Sequence, residues 1–427
     1  ASRQNAREKA IEALEAVKIK DAAARYGAYP FELSGGMCQR IVIAIALACD
    51  PCLLIADEPT TGLDITTQKA VMDLITQLSR DRDMSTLLIT HDLGMAAQYC
   101  DRIVVMKDGE LVEEGRPATL FAQAKHPYTR KLVAATPRKG ASIRELLPAE
   151  ARKPLRQYIP GDAPLLEVKN LKKTYAGKSG PVHAVKEISF QIQTGASMAL
   201  VGESGCGKST TSSIITRLQD ATAGQILFDG EDISKIPSKT FARNPRRRDI
   251  QMVFQDATDS LNPRHSAAQS IIEPLRRILD MPSGEAKARV NELADLVGLP
   301  QSLLTRFPHQ LSGGQKARVG IARAIAVTPK LLILDEPTAA LDVSIQAVVL
   351  NLLADLRAEL GMTYLFVSHD LHVVRLLCDQ VIVMKDGAVV EAGPTAQVMD
   401  NPKSDYTRAL LDAAPTLPEN AFQSLNV

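Results

Sequence analysis

The chain contains one long sequence pattern twice. Identical strings recur in a single register: Leu33–Gly36 returns as Leu311–Gly314, and Asp57–Thr60 returns as Asp335–Thr338. The offset is 278 residues in both cases (311 minus 33, 335 minus 57), and it holds up to about residue 137 without a net insertion. Low-complexity sequence does not keep one register over such a length. The pattern therefore predicts two copies of one large domain.

The second copy has a complete length, whereas the first begins partway through. The second copy starts near residue 165, after a segment whose prolines and glycines are typical of a linker. At the same offset, the first copy would start about 110 residues before residue 1. We therefore expect the C-terminal portion of a first domain at 1–137, a linker at 138–164, a complete second domain at 165–415 and a tail at 416–427, all within a longer protein.

Composition and charge narrow the functional classes. The net charge is +1, so the overall field gives no reason to expect a nucleic-acid partner. The longest apolar run, at 41–49, is about half of the roughly 18 residues that a membrane-spanning helix needs. The N-terminus also lacks the apolar stretch of a signal peptide. We expect a protein of the cytosol or of the membrane surface.

A glycine-rich loop follows the strand-like run at 197–201 and precedes a helix-like stretch. Its residues are Gly202, Glu203, Ser204, Gly205, Cys206, Gly207, Lys208, Ser209 and Thr210. This order is typical of a P-loop, in which glycines let backbone N–H groups converge on a phosphate at a helix N-terminus. We expect Lys208 to bind the β- and γ-phosphates and Ser209 to bind Mg²⁺. The helix end and Lys208 also predict a lowered thiol pKa for Cys206.

Polar side chains end or follow three apolar, strand-like segments of the same copy. They are Asp335 with Glu336, His369 and Gln255. Continuous apolar runs suit parallel strands buried on both faces, and ligands bind at the carboxyl ends of such strands. We expect Asp335 to hold Mg²⁺ through water and Glu336 to orient or deprotonate the attacking water. Gln255 and His369 fit as γ-phosphate and water contacts if these strands share one sheet.

A second anion site is predicted at a helix start after Leu311. Ser312, Gly313 and Gly314 offer a hydroxyl, bare backbone N–H groups and the positive end of a helix dipole. Because the domain already has a P-loop, this second site would serve another nucleotide, most simply one held by a partner domain. The alternative interpretation is a plain helix N-cap.

As an ordered set, these residues resemble the nucleotide-binding domain of ATP-binding-cassette (ABC) proteins. The resemblance implies an α/β P-loop NTPase fold, present in tandem. Each domain is expected to have a mostly parallel core sheet, an antiparallel β subdomain and a helical subdomain.

Individual segments carry these expectations for the fold. We expect antiparallel strands at 166–175, 183–192 and 225–228, a helical insert at 270–306, and the tail of its counterpart at 1–32. Asp-Gly pairs at 108–109 and 386–387 predict hairpin turns.

The resemblance also assigns roles to further residues. Tyr175 stands where the family stacks an aromatic ring on adenine, and Ala340-Leu341-Asp342 stands where it has the segment called the D-loop. Met37 replaces the usual Gln of the first signature motif. The matching residues of the first copy are Ser34, Gly35 and Gly36 of the signature, Asp64 of the D-loop, and the catalytic residues Glu58 and His91. The implied Mg²⁺ ligands are Ser209, Gln255 and Asp335.

Members of the family close two such domains head to tail, so that each ATP lies between one P-loop and the other domain's signature. One complete site is then implied within this chain, with Mg²⁺ and ATP as cofactors. Its residues are Gly202–Thr210, Gln255, Asp335, Glu336 and His369, facing Ser34, Gly35 and Gly36, with Asp64 at the seam. The other site has only Ser312, Gly313, Gly314 and Asp342 from this chain.

The segments that follow the two cassettes resemble the C-terminal tail of peptide and nickel importer ATPases. The first reads His126-Pro127-Tyr128-Thr129-Arg130, and the second, a weaker match, reads Ser404-Asp405-Tyr406-Thr407-Arg408. The resemblance implies an ATPase that drives uptake of peptides, whether oligopeptide, dipeptide or glutathione. Its implied partners are two transmembrane permease subunits and, indirectly, an external substrate-binding protein. Its implied location is peripheral, on the cytoplasmic face of the inner membrane.

The alternative function is that of a soluble twin-cassette factor acting on ribosomes. Such proteins usually join their cassettes by a long, charged, helical linker, whereas residues 138–163 are short and interrupted by prolines. The basic run Arg246-Arg247-Arg248 could contact RNA in that case, although an exposed loop is the simpler interpretation.

Overall fold

A computed structural model describes residues 3–154, 159–177, 180–339, 341–418 and 420–422. Ala340 of the predicted D-loop therefore lies outside the described residues. The chain divides into two compact units. The first comprises the described residues of 1–133 and 412–427, and the second comprises those of 134–411. The predicted domain limits at 137, 164 and 415 stay predictions.

The part of the chain up to residue 135 contains seven α-helices and four strands in its described residues. They are α1 (Arg3–Ala16), α2 (Ala22–Arg25), α3 (Gly35–Leu47), β1 (Leu53–Asp57), α4 (Ile65–Asp81), β2 (Ser85–Ile89), α5 (Leu93–Tyr99), β3 (Ile103–Lys107), β4 (Glu110–Gly115), α6 (Pro117–Ala122) and α7 (Pro127–Ala135). Strands β1 and β2 pair in parallel, and β3 and β4 form a separate antiparallel pair.

The rest of the chain contains the larger set of elements. They are β5 (Pro164–Gly177), β6 (Gly180–Gln193), β7 (Ser197–Val201), α8 (Lys208–Ile215), β8 (Ala223–Phe228), β9 (Glu231–Asp232), α9 (Ser238–Phe241), β10 (Ile250–Val253), α10 (Ala267–Arg277), α11 (Ser283–Leu296), α12 (Gly313–Ile325), β11 (Leu331–Asp335), α13 (Val343–Leu360), β12 (Thr363–Val367), α14 (Leu371–Leu377), β13 (Gln380–Lys385), β14 (Ala388–Pro394), α15 (Thr395–Asp400) and α16 (Asp405–Ala413).

A six-stranded sheet forms the centre of the second unit, in the order β10-β11-β12-β7-β13-β14. Every neighbouring pair is parallel except β13 with β14. The apolar runs of β7, β11 and β12 are buried along their whole length, as strands covered on both faces should be. The structure thus confirms the mostly parallel core sheet.

The smaller parts of the second unit also follow the sequence pattern. A four-stranded antiparallel sheet in the order β6-β5-β8-β9 contains the three predicted segments. Helices α10 and α11 form the predicted helical insert, which begins at Ala267 because Ser266 caps it through the backbone N–H of Gln269. None of the described helices is long and apolar enough to cross a lipid bilayer.

Both predicted hairpin turns are present. Asp108 and Gly109 connect β3 to β4 with φ values of 51° and 83°, and Asp386 and Gly387 connect β13 to β14 with 48° and 81°. Two successive positive φ angles are the backbone of a tight turn that suits Asp-Gly.

Equivalent strands differ in burial between the two units. In β1, Leu54 and Ala56 are buried, whereas Leu53 and Ile55 are exposed by 48% and 60%. Leu54 lies in a hydrophobic cluster with side chains of α3 and α4, and these cover one face of β1. The corresponding strand β11 is buried on both faces. The described residues of the first unit therefore cover one face of β1, and those of the second unit cover both faces of β11.

Helices α7 and α16 are each followed by a segment that packs into one of the units. In the first unit, Leu417 and Ala421 are buried in a cluster with Phe121 and Val133. In the second unit, Arg144 is buried and donates hydrogen bonds to Asn351 Oδ1 at 3.0 Å and to Asp355. These contacts group residues 412–418 and 420–422 with the first unit and residues 134–154 with the second.

Leu365 and Leu218 provide a matched test of the core of the second unit. Leu365 of β12 is fully buried, whereas Leu218 is 55% exposed. We expect Leu365→Ala to destabilise the second unit by about 2–5 kcal/mol because it leaves a cavity. Leu218→Ala should cost about 1 kcal/mol or less. Urea titration with hydrogen exchange on peptides of the second unit measures both, and equal costs would contradict the assignment of the core.

Candidate functional site

The glycine-rich loop connects β7 to α8 along a path that only glycine can follow at two positions. Gly202 and Gly207 have φ values of 145° and 104°. A Cβ at Gly202 would lie 2.2 Å from the carbonyl oxygen of Met384, and one at Gly207 would lie 2.4 Å from that of Ala184. Two of the motif's glycines are thus required by close packing of the loop against β6 and β13.

Lys208 is the first residue of α8, and its ammonium group contacts the backbone of the loop. Its side chain is buried, and Nζ donates to the carbonyl oxygens of Gly202 at 2.7 Å and of Glu203 at 2.9 Å. A buried ammonium group at a helix N-terminus, beside a glycine-rich backbone, is the environment that phosphate oxygens prefer. The adjacent Ser209 and Thr210 occupy the next positions of the same helix.

The predicted activation of Cys206 is wrong. Burial is the largest influence on this thiol, and it raises the pKa although Lys208 Nζ lies 3.7 Å from Sγ and favours the thiolate. The side chain is 4% exposed and packs in the hydrophobic core. Cys206 is therefore a packing residue of the loop.

The sheet brings together the polar residues that the sequence analysis placed at strand ends. Glu336 follows β11, and its Oε2 accepts a hydrogen bond from Gln255 Nε2 at 2.8 Å. Its other oxygen, Oε1, lies 3.2 Å from Nδ1 of His369, which follows β12. The carboxylate of Glu336 is thus held between an amide and an imidazole. Glu336 also has a strained φ of 46°, which turns the chain out of the strand.

The Glu336–His369 pair shifts the titration of both groups. Burial alone would raise the pKa of Glu336, but the hydrogen bond and charge of His369 outweigh it, so that the pKa is lowered. Burial opposes the charge of His369 as well, but its hydrogen bond to Glu336 and that carboxylate's charge raise its pKa. The site therefore favours an ionised Glu336 beside a charged imidazole.

The pKa of Asp335 is shifted in the opposite direction to that of Glu336. Burial, followed by repulsion from Glu336, raises the pKa of Asp335 to about 6. Its Oδ1 is buried and has no hydrogen-bond partner among the residues that the structure describes, while the Ser209 hydroxyl hydrogen-bonds to its carboxyl group. A buried carboxylate oxygen beside a Ser hydroxyl is an oxygen ligand set that fits Mg²⁺.

Tyr175 is connected to the helix after the loop through a residue that the sequence analysis missed. Its hydroxyl donates to Gln219 Oε1 at 2.6 Å, and Gln219 Nε2 donates in turn to the carbonyl oxygen of Thr210 at 3.5 Å. Lys173 Nζ lies 4.9 Å from the centre of the Tyr175 ring. Gln219 belongs to no sequence motif, because its contacts depend on the position of β5 relative to α8 in the folded unit.

The residues of the second predicted anion site form helix starts in both units. Ser312 caps α12 in a reciprocal capping box with Gln315, whereas Ser34 caps α3 without one because Met37 replaces the Gln. A Cβ at Gly314 would lie 2.4 Å from Ile345 Cγ2, and one at Gly36 would lie 2.5 Å from Thr67 Cγ2. The last glycine of each motif is therefore required by packing, and its part in nucleotide binding stays a prediction, as does that of Gly35 and Gly313.

The aspartates of the two D-loops also cap the N-termini of helices. Asp64 caps α4 by accepting from the backbone N–H of Thr67 at 3.0 Å, and Asp342 caps α13 by accepting from that of Ile345 at 3.0 Å. The predicted contact of Asp64 with a nucleotide site stays a prediction.

The first unit repeats the acid–imidazole pair. Glu58 has a φ of 44°, and its Oε1 lies 3.0 Å from Nδ1 of His91. The hydrogen bond to His91 is the main cause that lowers the pKa of Glu58. Unlike the Glu336 pair, both side chains are more than 40% exposed. The same pair thus forms in both units and differs in exposure.

Comparison with known families finds two that match this chain. The family described as ABC transporter matches residues 2–61 and 185–339, which is half of the chain and includes parts of both copies. The family described as oligopeptide/dipeptide transporter, C-terminal region, matches residues 112–162 and 390–425. The second family therefore includes both segments that follow the cassettes.

Individual relatives agree with these families. The chain is similar to the glutathione import ATP-binding proteins GsiA of Escherichia coli K12 and of Shigella flexneri, with 44% identity over 97% of this chain and 69% of each relative. It is also similar to the solved ATP-binding cassette MJ0796, in a dimeric post-hydrolysis state bound to ADP and Pi. That likeness has a TM-score of 0.50 and 33% identity, and covers 54% of this chain and 98% of the cassette. The α/β P-loop NTPase class is thereby confirmed.

The raised pKa of Asp335 predicts a stability cost. Because the folded chain keeps this proton up to about pH 6 while the unfolded chain loses it near pH 4, stability falls as the pH rises through this window. Asp335→Asn should therefore stabilise the nucleotide-free and metal-free second unit by about 1–3 kcal/mol at pH 7.5, and by little at pH 4.

Urea unfolding at both pH values measures this effect. The control is Asp57→Asn, the exposed equivalent in the first unit, which should change stability by less than about 0.5 kcal/mol. A destabilised Asp335→Asn chain at pH 7.5, or a gain of the same size at pH 4, would show that burial does not disfavour the carboxylate.

Proposed function

This chain belongs to the ABC transporter family of ATP-binding proteins, and from that membership we propose that it energises the uptake of glutathione or other short peptides through two separate permeases. It is an ATP-hydrolysing subunit of the importer class. The observation that carries the finer proposal is the 44% identity to glutathione import ATP-binding proteins over nearly the whole chain. The match of both tails to the oligopeptide/dipeptide transporter C-terminal region supports the peptide class.

We infer that Mg²⁺ accompanies the nucleotide. The Asp335 carboxylate and the Ser209 hydroxyl would hold the ion, with the Gln255 amide as a further oxygen ligand. When bound, the ion would supply positive charge to the phosphate oxygens. Oδ1 of Asp335, which has no hydrogen-bond partner within the described parts of the chain, supports this assignment, because burying such an acceptor is costly unless a cation binds it.

The residues around the phosphate site divide the chemistry of hydrolysis. Lys208 would neutralise charge on the β- and γ-phosphates. Glu336 would orient the attacking water and accept its proton, since its lowered pKa keeps it ionised at neutral pH. Gln255 and His369 would fix the direction of that carboxylate, and protonated His369 would place a positive charge beside it. Ser34, Gly35 and Gly36 would contact the same nucleotide, as the family resemblance implies.

Arg246 of the basic run does not favour the ribosome-associated alternative. Arg246 is ion-paired with three acids, Asp229, Glu231 and Asp249, at 2.9–3.4 Å. Its charge is thus neutralised within the unit, and phosphate binding would have to compete with three carboxylates.

We propose a peripheral location at the cytoplasmic membrane surface, in contact with the permeases.

The role of Glu336 can be tested against an exposed glutamate of the same unit. Glu336→Gln should lower ATP hydrolysis by about 100-fold or more, because it removes the proton acceptor, and should retain ATP binding. Glu359→Gln makes the same change at an exposed position of α13 and should leave hydrolysis unaltered. Phosphate release and equilibrium ATP binding measure both effects. An equal loss in the two variants would contradict the assignment.

The transport proposal can be tested by purification from the native membrane. We expect a tagged chain, solubilised gently, to co-purify with two polytopic membrane proteins. Vesicles containing that complex should take up labelled glutathione or a dipeptide when ATP is supplied, and a complex with Glu336→Gln should not. Co-purification with ribosomal subunits and no permease would instead support the translation factor. Uptake of neither peptide would refute the peptide class while leaving the ATPase assignment intact.

A further inference from the structure

The P-loop touches the C-terminal tail of its own cassette. The backbone N–H of Glu203, the second residue of the loop, donates a hydrogen bond to the hydroxyl oxygen of Tyr406 at 3.1 Å. Tyr406 lies at the start of α16, about 200 residues further along the chain. The tail that resembles peptide importers therefore contacts the backbone of the predicted nucleotide site.

A carboxylate fixes the position of that tail. The two oxygens of Glu391, on β14, accept hydrogen bonds from the backbone N–H groups of Lys403 at 2.8 Å and of Ser404 at 3.1 Å. Ser404 Oγ accepts in turn from the backbone N–H of Tyr406 at 3.2 Å. Burial opposes ionisation of Glu391, but these hydrogen bonds outweigh it and lower the pKa. The residues just before Tyr406 are thus held against β14 by the ionised carboxylate of Glu391, which we call the clamp.

The β13–β14 hairpin links the clamp to the loop by a second route. Lys385 Nζ lies 4.8 Å from the centre of the Tyr406 ring, within the range of a cation–π contact. The backbone N–H of Gly387 donates to the carbonyl oxygen of Cys206 at 3.1 Å. The loop, the hairpin and the tail therefore form one connected set of contacts, in which Tyr406 joins the tail to residue 203.

The first copy repeats the local structure of this tail. Glu113 accepts from the backbone N–H groups of Lys125 at 2.8 Å and of His126 at 3.1 Å, and Lys107 Nζ lies 5.7 Å from the Tyr128 ring centre. Tyr128 and Glu113 are therefore natural controls for Tyr406 and Glu391. They share the local structure of the tail but not its contact with residue 203.

We propose that Tyr406 is a positioning residue for nucleotide binding. Its hydroxyl holds the Glu203 peptide, and so keeps the loop in the conformation that receives the phosphates. Glu391 acts through Tyr406 by fixing the tail. Because coupling between two sites is reciprocal, bound ATP should also order the tail. This inference rests on the glycine-rich loop being the nucleotide site, and it does not depend on which peptide is transported.

Tyr406→Phe tests the proposal, since it removes the hydroxyl and keeps the ring. ATP binding to the full chain, measured by calorimetry, should weaken about three- to tenfold, the size expected for one hydrogen bond. The kcat at saturating MgATP should stay within about twofold, because no reacting group is changed. Tyr128→Phe should leave the ATP Kd of the site at 202–210 unaltered, because Tyr128 belongs to the other unit. An ATP Kd for Tyr406→Phe equal to that of the native chain would overturn the proposal.

The clamp provides an independent second measurement. Glu391→Gln should weaken ATP binding in the native background but add little in Tyr406→Phe, because both changes break the same connection. Glu113→Gln is the matched control and should have no effect on the ATP Kd. Fully additive losses from Glu391→Gln and Tyr406→Phe would show that the clamp does not act through Tyr406 and would contradict the proposal.

Hydrogen exchange separates a coupling role from a merely structural one. In the native chain, ATP should slow exchange in the tail at 401–411, and this protection should be lost in Tyr406→Phe. Lys208→Ala, which should abolish ATP binding, identifies the loop as the nucleotide site. If Lys208→Ala loses binding while Tyr406→Phe keeps native affinity and tail protection, only the role of Tyr406 fails. If Lys208→Ala still binds ATP, the assignment of the site itself fails.

Discussion

Parallel pairing of β10, β11, β12 and β7 is the constraint on which the second unit depends. It brings four strand ends to one edge of the sheet, although the residues they carry are up to about 170 positions apart in the chain. Gln255, Glu336, His369 and the loop with Lys208 all follow from that pairing. If one strand were displaced, the hydrogen bonds at 2.8 Å and 3.2 Å that hold Glu336 could not form together. The sheet thus builds the site, and the loops only extend it.

Two adjacent carboxyl groups in this site are shifted in opposite directions. Asp335 is buried and Glu336 is largely buried, but Glu336 has an amide and an imidazole as partners, whereas one oxygen of Asp335 has none among the described residues. Burial therefore dominates for Asp335, and hydrogen bonding dominates for Glu336. The folded chain bears the cost of Asp335 in the absence of a cation, so a residue suited to ligand binding here opposes stability.

The sequence predicted the fold and the residues at the strand ends, because repeats, apolar runs and glycine spacing are local signals. It did not predict effects that depend on which distant segments pack together. The lowered pKa expected for Cys206 was wrong because burial outweighs Lys208. The packing requirement at Gly314 depends on Ile345, and the partner of Tyr175 is Gln219, which belongs to no motif. The hydrogen bond from Glu203 to Tyr406 joins segments that no spacing rule connects.

The two copies allow the geometry of the acid–histidine pair to be distinguished from the influence of the residues around it. Glu58 and Glu336 both take a φ near 45° after their strands, and both place a carboxylate oxygen 3.0–3.2 Å from a histidine Nδ1. The same strand–loop geometry therefore forms the pair in both units. In the second unit burial is the largest influence on the glutamate, and Gln255 and Lys208 also act on it, whereas in the first unit the hydrogen bond to His91 is the largest influence. Since the environment sets the titration of such a pair, an acid–histidine match in sequence identifies a candidate, and the surrounding sheet determines whether it can act on a phosphate.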